Sequence, residues 1–317
     1  MFRFSLPQKT VNINGTLFGG QPGENATVMC SSIFFAGHKI VQDPLAGRFD
    51  KSAARRLLHE EFLLAKKFAL PRAINVIGET GQALVSYLTF LLEETECPLF
   101  VDSTNKTAIL EAFRYFKNSR AMERLIYNSI DAYHQEAELA EIKKLGIKNA
   151  VVLAFTIHHA KPADKLALLL GDCSCKVSAT GEPPSGGLLE KVKAIGVENI
   201  LIDVGVLDLH STAWSAMAIR EIKAKTGLPC GCAPTNALFN LQKANEYLNA
   251  EKEARLAAAV AIYSSIIYQG ADWLFYGAIR NAKWAYPAVA TANSLMASGA
   301  ILNGTKLNCD THPRFMV

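Results

Sequence analysis

Pro98-Leu99-Phe100-Val101-Asp102-Ser103-Thr104-Asn105 is a short apolar run that stops on a carboxylate. The same construction recurs along the chain. It appears in Ala73-Ile74-Asn75-Val76-Ile77-Gly78-Glu79, Leu125-Ile126-Tyr127-Asn128-Ser129, Ile200-Leu201-Ile202-Asp203 and Cys230-Gly231-Cys232-Ala233-Pro234-Thr235-Asn236. Strands of a parallel sheet are covered on both faces, so they read as unbroken apolar runs. When such strands close into a barrel, the polar residues at their exits line the site. One pattern therefore indicates both a fold and a set of working residues.

Apolar runs of this kind predict strands over 27–35, 72–78, 99–101, 124–127, 150–155, 199–202, 228–232 and 272–276. Helical spacing between them predicts helices over 52–68, 81–94, 106–117, 135–144, 187–194, 211–225, 251–268 and 283–298. Asp50 is placed to cap the first of these, and Gly146, Gly196, Gly227 and Gly270 mark returns from helix to strand. Strict alternation predicts an α/β protein with a parallel sheet, and eight repeats predict closure into a (β/α)8 TIM barrel. No Gly-x-Gly-x-x-Gly follows the first strand, which argues against a dinucleotide-binding sheet.

Two segments fall outside the repeats. Residues 11–18 alternate across Asn14-Gly15, which predicts a short N-terminal β-hairpin, within 1–24, plugging the barrel bottom. Residues 160–184 are rich in small and polar side chains and long for a strand-to-helix link, so a lid or docking insert is expected there. No break in composition divides residues 1–317, which read as one barrel domain.

The net charge is +4, and its charges are scattered without a basic stripe, which argues against a nucleic-acid partner. Seven cysteines, an odd number in a chain this long, suit reduced thiols and a cytoplasmic protein. No signal-peptide core stands at the N-terminus. The longest uncharged stretch, 284–305, is interrupted by Pro287, Asn293 and Asn303; it reads as a last buried helix and not as a membrane span. The apolar helix over 256–268 could face a twin protomer or the barrel, which leaves a homodimer open.

The exit set is acidic plus amide: Asn75, Glu79, Asp102, Asn128, Asp203 and Asn236. A carboxylate accepts two parallel N–H groups, and an amide both donates and accepts. Such a set suits a flat heterocycle with an amidine-like edge, such as a pterin. No Ser–His–Asp or Cys–His pairing is evident, so nucleophilic catalysis by the protein is disfavoured. The bland alternative for each residue is a helix N-cap. Asp102 and Asp203 stand one residue too early for that, whereas Thr104 or Asn105 suits the third helix. Glu79 could equally pair with a neighbouring cation.

Gly19-Gly20-Gln21-Pro22-Gly23-Glu24 with Ile33-Phe34-Phe35-Ala36-Gly37-His38-Lys39-Ile40-Val41, then Val76-Ile77-Gly78-Glu79, Val101-Asp102-Ser103-Thr104, Ile126-Tyr127-Asn128-Ser129 and Leu201-Ile202-Asp203, resemble the H-subunit family of tetrahydromethanopterin S-methyltransferase. The blocks follow in order along nearly the whole chain. More broadly the chain is similar to pterin-binding methyltransferases, and as a free-standing chain it resembles the bacterial branch of glycine betaine demethylation type. The resemblance implies methyl transfer between methylcob(III)alamin, carried by a separate corrinoid protein, and N5 of tetrahydrofolate. It implies pterin contacts at Asp102, Asn128 and Asp203, and a mobile amide near N5 at Asn236. Glu79 and Asn75 match in position without an assigned contact. No metal is expected to bind the chain directly.

Three other readings stay in view. Asp208-Leu209-His210 approximates the Asp-x-His-x-x-Gly corrinoid-ligand motif, but Ala213 replaces the glycine; His210 is read as loop, with Ser211 or Thr212 capping the next helix. Cys173, Cys175, Cys230 and Cys232 with His158-His159 could be imagined as the zinc site of a thiol methyltransferase, although one-residue spacing is tighter than zinc sites use. A non-catalytic barrel that only binds a corrinoid protein is the third.

Overall fold

A computed structural model describes residues 2–171, 186–308 and 312–315. Its parallel strands are β1 (Val28–Ile33), β2 (Arg72–Ile77), β3 (Leu99–Asp102), β4 (Leu125–Ile130), β5 (Asn149–Leu153), β6 (Asn199–Asp203), β7 (Cys230–Cys232) and β8 (Trp273–Ala278). Each pairs with the next in sequence, and β8 returns to β1, which closes an eight-stranded barrel. The expected TIM barrel is therefore the observed one. Three strands run further than the apolar pattern: β3, β4 and β6 include Asp102, Asn128 and Asp203. A strand pairs through its backbone, so a polar side chain does not end it.

The helices are α1 (Lys51–Phe68), α2 (Gly81–Glu94), α3 (Lys106–Phe116), α4 (Glu136–Leu145), α5 (Pro162–Leu170), α6 (Leu188–Ala194), α7 (Leu209–Thr226), α8 (Thr235–Ala244), α9 (Glu246–Ala250), α10 (Lys252–Ile267) and α11 (Ala282–Leu302). The segment expected as an insert begins with α5, and its remainder, with Cys173 and Cys175, lies outside the described residues. After β7 come three helices rather than one. The first of them, α8, lacks a capping side chain, so its start carries no sequence signal.

Other helix starts do carry one. Asp50 accepts from the Ala53 N–H at 2.9 Å, and Asn105 from the Thr107 N–H at 3.0 Å. At α7 the cap is Asp208, which exchanges hydrogen bonds with Ser211 in a capping box. Neither Ser211 nor Thr212 is the cap, and His210 lies in the exposed first turn of α7 rather than in a loop.

Alternation along the strands sends every second side chain into the barrel. Ala73, Phe100, Ile126, Val151, Leu201 and Trp273 fill that interior with Phe275. Three of them form an aromatic centre: the Phe100, Trp273 and Phe275 ring centroids lie 5.1–5.8 Å apart. Below, the hairpin of Thr10–Ile13 and Thr16–Gly19 seals the barrel. Its turn residues Asn14 and Gly15 both have positive φ, as a two-residue type I′ turn requires. Phe18 reaches within 6.4 Å of the Phe100 ring. Among the described residues no helix is long and apolar enough to cross a membrane.

The Cys-Gly-Cys of β7 follows from the same alternation. Cys230 and Cys232 face the helix layer, fully buried, and Gly231 faces inward. A Cβ on Gly231 would stand 2.2 Å from the Trp273 carbonyl oxygen and 2.3 Å from its ring. Glycine there makes room for tryptophan. Gly231→Ala is expected to lower stability by roughly 1–3 kcal/mol, measured by denaturant unfolding; unchanged stability would contradict this packing.

Candidate functional site

Above the aromatic centre, the next inward position on four strands is polar. Asn75 follows Ala73, Asp102 follows Phe100, Asn128 follows Ile126 and Asp203 follows Leu201, each two residues on. In register, Asp102 stands beside Asn128. The side chains form a directed chain. Asn75 Nδ2 donates to Asp102 Oδ2 at 2.8 Å, and Asn128 Nδ2 donates to Asn75 Oδ1 at 3.4 Å. A carboxylate can only accept, so Asp102 orients Asn75, which in turn orients Asn128. On β6, Asp203 Oδ1 accepts from the Gly205 N–H at 2.7 Å.

Three side-chain acceptors of this cluster are left over. Asp102 Oδ1, Asn128 Oδ1 and Asp203 Oδ2 take no hydrogen bond from the described residues. Asn75, Asn128 and Asp203 are buried and Asp102 nearly so. Burial pushes the Asp102 carboxyl up, while Asn75 and the Lys106 charge pull it back. Burial pushes Asp203 up to about 6; the Gly205 N–H and Lys165 oppose this, and the Asp102 charge adds to it. The two acids therefore share one electrostatic environment.

The other predicted residues lie at the edge. Asn236, exposed, is the second residue of α8, and its Nδ2 donates to the Val206 carbonyl at 3.1 Å. It makes no hydrogen bond to the four-residue cluster, but it shares the loop that orients Asp203. Glu79 is exposed and precedes Thr80, the N-cap of α2, with no hydrogen bond to the cluster. Among the described residues no three His, Cys, Asp or Glu side chains gather as metal ligands. His159 bonds Thr156 at 2.7 Å, and the two β7 thiols sit in the outer core, raised far above their ordinary range by burial.

Sequence reasoning missed two cations. Lys106, in the first turn of α3, donates to the Ser129 carbonyl and pairs with Asp131 at 3.1 Å. Lys165, on α5, is wholly buried and donates to the Val204 and Gly205 carbonyls and to Ser215. A signal existed for the second: Lys165 lies four residues before the buried Leu169, on the apolar stripe of its helix.

The family described as tetrahydromethanopterin S-methyltransferase MtrH subunit matches residues 7–306. The H subunit of tetrahydromethanopterin S-methyltransferase from Methanothermobacter thermautotrophicus is 34% identical over 99% of each chain. The H subunit from Methanopyrus kandleri is 33% identical over 98% of this chain and 97% of its own. Among solved structures, dihydropteroate synthase of Xanthomonas albilineans superposes with a TM-score of 0.58 at 15% identity, covering 94% of this chain and 99% of that one. The enzyme of that name from Thermus thermophilus gives 0.58 at 15%, covering 90% and 100%. At such identity the likeness establishes the fold. The match along nearly the entire chain establishes more: this protein belongs to the tetrahydromethanopterin S-methyltransferase MtrH subunit family.

Proposed function

We propose that the protein is a methyltransferase that moves a methyl group between methylcob(III)alamin, carried by a separate corrinoid protein, and N5 of tetrahydrofolate. One observation carries the reading: at the barrel mouth Asp102, Asn128 and Asp203 present three acceptor oxygens that take no hydrogen bond from the described residues. The pyrimidine edge of a reduced pterin offers N–H donors of matching kind, and each carboxylate keeps one oxygen to accept from it. The corrinoid partner would supply the cobalt-bound methyl carbon. The residues of this chain bind and align. Asp102 and Asp203 hold the pterin edge, and Asn75 keeps Asn128 turned to accept. Asn236, once released from the Val206 carbonyl, is the donor nearest N5; Glu79 stands at the rim. Aligning two large reactants removes on the order of 7–11 kcal/mol from a barrier at best.

The surroundings favour a docked protein. Ile157, Leu207, Leu209 and Phe239 are large, apolar and exposed, on the segments that follow β5, β6 and β7 at the mouth end. Membership in the MtrH family supports methyl transfer with a reduced pterin. The choice of tetrahydrofolate rests on the resemblance to the bacterial branch.

Mixing the protein anaerobically with free methylcob(III)alamin and tetrahydrofolate is expected to give a folate-dependent loss of the methyl–cobalt absorption band. A band that persists contradicts the proposal. Asp102→Ala and Asp203→Ala should each weaken tetrahydrofolate binding about 10- to 150-fold by calorimetry, the worth of one charge-assisted hydrogen bond; wild-type affinity in both would remove the assigned site.

The pH dependence has opposite signs for binding and for stability. Protonation of Asp203 removes an acceptor, so affinity should fall as the pH drops through about 6. Folding instead favours the neutral form of a carboxyl whose pKa is raised. Its contribution to stability is full below the ordinary carboxylate range and is lost as the pH rises through about 6. Asp203→Asn should therefore melt above wild type at pH 8, with the difference shrinking towards pH 4. A difference that stays constant between those values would contradict a raised Asp203.

A further inference from the structure

Lys165 occupies a costly position. Its side chain is 0% exposed, and removing an ammonium from water costs several kcal/mol even after relaxation. No carboxylate among the described residues is in ion-pair contact with it. Instead Nζ is caged by the Val204 carbonyl, by the Gly205 carbonyl at 3.3 Å, by Ser215 Oγ at 2.8 Å and by the Phe155 ring, whose centroid is 5.3 Å away. A leucine or methionine would fill that space on α5 at lower cost.

The cage is the turn that follows Asp203. Gly205 has φ +63°, and a Cβ there would stand 2.6 Å from Phe155 Cβ. In this conformation the Gly205 N–H points back at Asp203 Oδ1, at 2.7 Å, while its carbonyl points away, into Lys165 and Ser215. One peptide segment thus joins the ammonium to the carboxylate. Ser215, itself fully buried, donates to the same Gly205 carbonyl and ties α7 into the arrangement.

We propose that Lys165 is a positioning residue of the pterin site: it fixes the 204–205 turn that aims Asp203 into the mouth, and its charge favours the ionised carboxylate. The proposal rests on the reading of Asp203 as a pterin ligand. Among the described residues, the charged and titratable groups that face Asp203 are Lys165 from α5, Asp102 from β3 and the Cys232 thiol from β7. Lys165 is the one cation of the three. Burial draws the Lys165 pKa down to about 8, against the upward pull of Cys232 and then of Asp203.

The test uses the full chain with Lys165→Met and Lys165→Arg. Carboxyl carbon NMR of the ligand-free protein follows the Asp203 titration, assigned by its loss in Asp203→Asn. In Lys165→Met the midpoint should rise by about one unit, and in Lys165→Arg it should return towards wild type. Following that midpoint, tetrahydrofolate affinity in the methionine variant should fall about tenfold at pH 5 and only about twofold at pH 7. A midpoint that does not move in Lys165→Met overturns the proposal and leaves Lys165 as packing. If Lys165→Met does not fold, Lys165→Gln, which keeps a donor without a charge, carries the same two outcomes. Wild-type protein that fails to bind tetrahydrofolate would sink the assigned substrate, while the ligand-free titration still decides the role of Lys165.

Discussion

Side chains on a strand alternate at a period of two, and a barrel of eight paired strands leaves its inward positions no neighbour but one another. The rest of the structure depends on that constraint. Phe100, Trp273 and Phe275 fill the middle, with Gly231 yielding the space that tryptophan takes. Phe18 of the hairpin closes the bottom. The next inward layer has packing below it and an open mouth above. Polar groups can stand there because they bond to one another, and Asn75, Asp102, Asn128 and Asp203 are those groups.

The order of donors and acceptors in that layer then sets what it can recognise. Asp102 accepts, so Asn75 must turn its amino group to it; Asn75 then offers an oxygen, so Asn128 must do the same. Each asparagine spends an amide N–H inside the layer, and three acceptor oxygens take no hydrogen bond from the described residues. Burial raises both carboxyls, which marks each as short of hydrogen-bond donors for its charge. A ligand edge rich in N–H groups relieves that shortage. Unliganded stability and ligand affinity are thus set against each other at Asp203, a pattern common to functional sites.

Much of this was legible in the sequence. The eight strands show because buried parallel strands are continuous apolar runs, and the acids show because each interrupts such a run. What the pattern could not give was whether Asp102, Asn128 and Asp203 end their strands or follow them, since backbone pairing is indifferent to the side chain. The start of α8 carries no capping residue, so no helix was expected at Asn236, which is helical. The cap of α7 was misplaced because Ser211 and Thr212 are good caps by type, while the loop geometry selects Asp208. Lys165 was passed over because a lysine ordinarily reads as solvated surface. Its partners, Val204, Gly205 and Ser215, lie about 40–50 residues away and meet it only in the closed barrel.

The central claim is that the acceptors at the mouth read the donor edge of a reduced pterin. An experimental structure of the protein with tetrahydrofolate bound tests it most directly. The pterin ring is expected over the aromatic layer, with its N–H edge within hydrogen-bond distance of Asp102 Oδ1 and Asp203 Oδ2 and with Asn128 Oδ1 also engaged. A pterin bound elsewhere on the barrel, or lying in the mouth with that edge turned to solvent, would contradict it.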